Sequence, residues 1–164
     1  MTEIRSAALS GSRVLVVEDD RALGEDLCRY LRENGATVLG PAPTAYYAYS
    51  LLLGRRGVDG AILDVRSHAS AIFELARRLR ELNVPMLFTT GSDPDIPPEF
   101  GSAPRILKPL STGEVIEQVR RLVRRQDAGT ARAPAASPLR VNPLSLDLRM
   151  GRLVARALRD RINA

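Results

Sequence analysis

Tryptophan is absent from this 164-residue chain, and cysteine and histidine occur once each, as Cys28 and His68. A single cysteine excludes an internal disulfide framework and a multi-cysteine zinc site. A single histidine excludes a histidine-rich metal centre. Long apolar runs are missing too: stretches such as Val14–Val17 and Leu51–Leu53 are far shorter than the ~20 residues a bilayer span needs. The N-terminal region lacks the order of a secretory signal, because its first apolar run ends in Glu18-Asp19-Asp20. Neither a G-x-x-x-x-G-K-[ST] loop nor a G-x-G-x-x-G turn occurs, which argues against nucleotide binding. The expectation is a soluble cytoplasmic protein with no membrane span.

Lysine is nearly absent as well. The chain has 23 arginines and one lysine, Lys108. Wherever a generic positive charge sufficed, arginine was used, so Lys108 is a candidate for work that needs a compact ammonium. The formal charge of +5 is unevenly spread: residues 126–164 carry +4, leaving +1 for the first 125. The main body is therefore no polycation, and its charge does not point to nucleic acid. Hydrophobic residues make up 45% of the chain, enough for a buried core.

Residues 1–12 are small and polar and read as a flexible tail. Beyond them, apolar β-rich runs alternate with helical patterns. Strands are expected at Arg13–Val17, Thr37–Gly40, Gly60–Leu63, Pro85–Thr89 and Arg105–Leu107. Helices are expected from Asp20 to about Asn34, from Thr44 to about Arg55, over Ser70–Leu82 and over Ser111–Arg125. Ser111 and Glu114 have capping-box spacing at the last of these. Cys28 is expected on a helix face packed on the sheet. Tyr46, Tyr47 and Tyr49 cannot all be buried by one helix, so at least one is a candidate partner contact. Such alternation implies a doubly wound parallel sheet with right-handed crossovers. Between the last two strands, Gly91–Ala103 holds Pro94, Pro97 and Pro98, so no regular helix beyond about a turn is expected there. Residues 126–138 read as a linker. Residues 139–164 form a basic segment with partly helical spacing, too short to fold alone.

In such a sheet, sites form beyond the carboxyl ends of the strands. Those ends carry Glu18-Asp19-Asp20, Asp64, Thr89-Thr90-Gly91 and Lys108-Pro109. At about 5 Å and an effective dielectric near 20, each like-charge carboxylate pair costs roughly 3 kcal/mol. A hard divalent cation such as Mg²⁺ offsets that cost, and Lys108 adds a positive charge. A pocket of this kind suits a phosphoryl group. Asp64 would be the nucleophile, Thr90 a hydroxyl donor, and Lys108 a neutraliser of developing oxygen charge.

Residues 13–125 resemble a response-regulator receiver domain of bacterial two-component systems. The motifs are Val14-Leu15-Val16-Val17-Glu18-Asp19-Asp20, Ala61-Ile62-Leu63-Asp64-Val65, Leu87-Phe88-Thr89-Thr90-Gly91 and Leu107-Lys108-Pro109. The resemblance implies the flavodoxin-like five-stranded order 2-1-3-4-5, here with an irregular, shortened fourth crossover. It implies Mg²⁺ held by Glu18, Asp19, Asp64 and the backbone carbonyl of Arg66. It makes Asp64 the phosphoacceptor, Thr90 the switch hydroxyl and Lys108 the phosphoryl contact. It further implies a sensor histidine kinase or phosphotransfer protein as donor, a downstream protein partner, and no enzymatic activity beyond self-phosphorylation and self-dephosphorylation. Val38–Ala42 and Pro97-Pro98-Glu99-Phe100 also resemble a stand-alone receiver subgroup.

Two positions depart from the family pattern. Arg105 stands where the family usually has an aromatic, three residues before the lysine, so an arginine pairing with a partner acid or the loop is expected instead. The short fourth crossover removes most of the usual dimer face, so a homodimer would need another surface. Arg66 is a candidate modulator of dephosphorylation, and His68 a loop residue that could sense pH near the phosphoryl group. Residues 139–152 resemble the opening strands of a winged-helix domain, which keeps a DNA-binding regulator as the alternative. A haloacid-type hydrolase would need a second aspartate where Arg66 stands.

Overall fold

The computed structural model describes residues 8–53, 57–65, 69–91 and 96–129. Five parallel strands form one sheet: β1 (Arg13–Val17), β2 (Thr37–Ala42), β3 (Gly60–Asp64), β4 (Met86–Thr90) and β5 (Arg105–Leu107). Their order is β2-β1-β3-β4-β5, as expected. The helices are α1 (Arg21–Glu33), α2 (Ala45–Leu52), α3 (Ala69–Glu81) and α4 (Thr112–Gly129).

Every residue of β3 and β4 is buried, which explains their continuous apolar character: side chains leave both faces of a central strand into packed helices. Alternation divides the core in two. Leu15, Leu63, Phe88 and the inner residues of α2 and α3 fill one face. Val14, Val16, Ile62, Leu87, Ile106 and the inner residues of α1 and α4 fill the other. Cys28 is buried in this second cluster, as expected.

The helix starts follow local chemistry. The Asp20 carboxylate accepts from the Leu23 N–H at 3.0 Å and caps α1. The Thr44 hydroxyl accepts from the Tyr47 N–H at 3.1 Å and caps α2. Tyr47 is exposed, whereas Tyr46 and Tyr49 are half-buried.

Several boundaries differ from expectation. Helix α2 ends at Leu52, short of Arg55, because the extended Leu53 caps it, and β4 runs from Met86 to Thr90, one residue later than Pro85–Thr89. β2 continues through Pro41 to Ala42, with its register to β1 shifting between Leu39 and Ala42. Proline is tolerated because β2 is an edge strand. Gly40 makes the shift possible: its φ is +126°, and a Cβ there would lie 2.5 Å from the Val16 carbonyl oxygen. Ordered packing also begins before β1. Leu9 is fully buried, and its N–H donates to the Asn34 carbonyl at 2.9 Å. At the other end, α4 runs into the stretch read as a linker. Residues 130–164, including the basic segment 139–164, lie outside the described residues.

The fourth crossover contains a single 3-10 turn, Pro98–Phe100, among its described residues. The turn is anchored to α3. Glu99 accepts from Arg77 at 2.7 Å and from Arg80 at 2.8 Å. Phe100 is buried, stacking on Phe73 at 6.0 Å and meeting Phe88 edge-on at 5.7 Å. One aromatic and one carboxylate thus do the packing that a crossover helix would otherwise do. No helix among the described residues is long and apolar enough to cross a membrane.

Candidate functional site

The site lies where β1, β3, β4 and β5 end. β1 runs directly into Glu18, whose N–H donates to the Ala42 carbonyl at 2.9 Å. This bond extends the β1–β2 pairing by one step and holds Glu18 inside, at 2% exposure. Asp19 turns out to solvent, and Asp20 caps α1. β3 ends on Asp64, 6% exposed. Glu18, Asp19 and Asp64 each offer a carboxylate oxygen, and these oxygens lie within 4.8 Å of one another.

Lys108 follows β5. Its backbone N–H donates to the Thr90 carbonyl at 2.7 Å, which ties the lysine to the end of β4. Its ammonium donates to Glu18 Oε2 at 2.7 Å and pairs with Asp64 Oδ1 at 3.0 Å. One positive charge therefore bridges two buried negative ones. Burial pushes the Glu18 carboxyl above the usual carboxylate range. The Lys108 hydrogen bond and the Asp20 N–H, which donates to Glu18 Oε1 at 3.0 Å, oppose that rise, and the Asp64 charge adds to it.

The donor set suits a hard divalent cation. All three side chains offer carboxylate oxygens, the set Mg²⁺ prefers. With all three oxygens within 4.8 Å of one another, Glu18, Asp19 and Asp64 are close enough to hold one such cation together. Exposed Asp19 keeps the cluster open to solvent, which leaves room for the waters Mg²⁺ retains.

The sequence-predicted residues separate clearly. Glu18, Asp19, Asp64 and Lys108 are brought together, and Thr90 sits at the same edge, 1% exposed. Arg105 is exposed at the start of β5 and donates to the Gly101 carbonyl at 3.3 Å, so it engages the crossover loop. Arg66 and His68 lie outside the described residues. The structure adds a feature that spacing alone did not isolate: Thr89 pairs in register with Asp64, and both are buried.

No family model matches the chain. Curated relatives do. Sensory transduction protein RegX3 of Mycolicibacterium smegmatis is 32% identical over 127 residues, covering 71% of this chain and 54% of the relative. Response regulator MprA of Mycobacterium bovis BCG is 30% identical over 148 residues, covering 85% of this chain and 64% of the relative. Transcriptional regulatory protein AruR of Pseudomonas aeruginosa is 33% identical over 138 residues, covering 78% of this chain and 56% of the relative. The chain spans about half the length of the first of these relatives. Among solved structures, the non-phosphorylated HemR receiver domain of Leptospira biflexa is 29% identical with a TM-score of 0.59. That match covers 75% of this chain and 98% of that one. A CheY-like receiver domain of Methanospirillum hungatei has the same fold at 20% identity and a TM-score of 0.62, covering 73% and 98%.

Proposed function

Since this chain belongs to the response regulators of two-component signalling and carries their receiver domain, we propose that it works as a phosphorylation switch with Asp64 as phosphoacceptor. The observation that carries this reading is the Lys108 ammonium set between the Glu18 and Asp64 carboxylates, at 2.7 and 3.0 Å. Such a bridge holds a cation where a transferred phosphoryl group would need one.

Each residue then has a task. Asp64 attacks phosphorus, and the donor's leaving group departs with the bonding pair. Lys108 exchanges its carboxylate contacts for a phosphoryl oxygen. Thr90 donates its hydroxyl to another. Glu18 and Asp19, together with Asp64 and the Arg66 carbonyl, would hold Mg²⁺, which supplies positive charge against the phosphoryl oxygens when bound. The donor is a histidine kinase or phosphotransfer protein, the setting is the cytoplasm, and the output is a change in protein–protein contact. Acetyl phosphate with Mg²⁺ is expected to give an acid-stable, base-labile adduct of one phosphoryl group, absent in Asp64→Asn. No adduct on the unaltered chain would refute the reading.

A second reading concerns the output. The match to MprA covers 85% of the chain and so cannot fit within residues 1–129. Similarity to MprA therefore runs beyond residue 129. This supports a receiver that governs a DNA-binding region, of which residues 139–164 would be a part. Duplex binding that weakens steeply with salt and disappears on truncation after Arg125 is expected from this reading.

A further inference from the structure

Thr89 is the buried polar group to which the switch assigns no task. It is 1% exposed, and its hydroxyl has no hydrogen-bond partner among the described residues. Buried hydroxyls are nearly always bonded, so an orphan at the edge of a reaction site calls for a reason.

The register supplies one. Asp64 of β3 is the Cα partner of Thr89 of β4. Two residues back, Ile62 partners Leu87, and both lie in the core cluster under α1 and α4. Strand alternation then puts the Asp64 and Thr89 side chains side by side on that same face. Neighbouring strands are about 4.8 Å apart, so the hydroxyl is within reach of an Asp64 carboxylate oxygen after a rotamer change. Thr90, one residue on, faces the other side of the sheet. The two adjacent threonines are therefore not interchangeable.

We propose that the Thr89 hydroxyl is a reserve donor to Asp64, used when the phosphoryl group leaves. The inference rests on the phosphoacceptor reading of Asp64. In hydrolysis, water attacks phosphorus and a new P–O bond forms. The P–O bond to Asp64 breaks, its electron pair stays on the carboxylate, and the proton from water passes to the released phosphate or bulk water. Negative charge thus grows on Asp64. In the unphosphorylated chain the Lys108 ammonium balances that charge at 3.0 Å. While Lys108 holds a phosphoryl oxygen, it serves the carboxylate less well. Thr89 is the buried donor with no competing bond on the strand next to Asp64, in register with it.

The test labels the full chain with acetyl phosphate and Mg²⁺, removes both, and follows loss of the adduct by intact-mass spectrometry. Thr89→Val keeps the volume and removes the donor, while Thr89→Ser keeps the donor. Dephosphorylation is expected to slow by about 3- to 10-fold in T89V, the worth of one hydrogen bond, and to stay within about twofold of the unaltered chain in T89S. Unphosphorylated T89V is expected to melt no lower than the unaltered chain, because no existing bond is lost. Equal rates in T89V and the unaltered chain would overturn the proposal alone, as would T89S decaying as slowly as T89V. A lower melting temperature for unphosphorylated T89V would overturn it too, by revealing a bond already made. Failure of the unaltered chain to take label would overturn the phosphoacceptor reading and this one with it.

Discussion

The Lys108 ammonium lies 2.7 Å from a carboxylate oxygen of Glu18, 90 positions earlier in the chain, and both side chains are largely buried. With Asp64 at 3.0 Å, the single lysine is the counter-ion to two interior acids. Removing one partner of a buried charge cluster costs more than a surface pair, because the remaining charges stay desolvated. Lys108→Met is therefore expected to lower unfolding free energy by about 2–4 kcal/mol in chelator. Mg²⁺ should restore more stability to this variant than to the unaltered chain, since the cation no longer competes with the ammonium. Chemical denaturation with and without Mg²⁺ measures both.

The crossover turn is predicted to be pH-sensitive through Glu99. Its two arginine partners hold the carboxyl below the usual range, the Arg77 hydrogen bond contributing most. A lowered native pKa means the contribution is present above the ordinary value near 4.5 and is lost as pH falls through the native one. Glu99→Gln should thus melt lower than the unaltered chain at neutral pH, with the gap closing in acid and narrowing in high salt. Thermal melts from pH 3 to pH 7 check the sign.

Phe100 anchors the same turn from the apolar side. Phe100→Ala empties a site shared with Phe73 and Phe88 and is expected to cost about 3–4 kcal/mol. Because Phe88 is two residues before Thr90 on the same strand face, increased amide exchange should extend from residues 97–104 into the end of β4. Hydrogen-exchange mass spectrometry reads this directly.

Cys28 should be chemically silent. Burial pushes its thiol up to about 11, leaving little thiolate at neutral pH. Labelling by iodoacetamide is expected to be slow in the native chain and rapid in denaturant. Fast native labelling would show that α1 opens readily from the sheet.

The ends of β1, β3, β4 and β5 were legible in the sequence because each is an apolar run stopped by a charged or hydroxyl residue. Parallel topology then collects those residues at one edge, which is why Glu18, Asp19, Asp64 and Lys108 could be named together. Less could be said where contact depends on distant partners. Glu99 and Phe100 meet residues 12 to 27 positions earlier, such as Phe88, Arg80 and Phe73, and the proline-rich composition around them signals only the absence of a helix. Leu9 looked like part of a loose tail because one leucine among small residues has no periodicity to reveal its burial. Thr89 and Thr90 could not be distinguished by spacing, since only the sheet register states which of the pair lies beside Asp64.

The central claim is that Glu18, Asp19, Asp64 and Lys108 form one pocket that receives a phosphoryl group with Mg²⁺. Fluorine NMR of the chain with beryllofluoride, a mimic of that group, tests it most directly. A bound fluorine resonance that requires Mg²⁺ and vanishes in Asp64→Asn is the predicted result. No bound resonance, or one that persists unchanged in Asp64→Asn, would contradict the account.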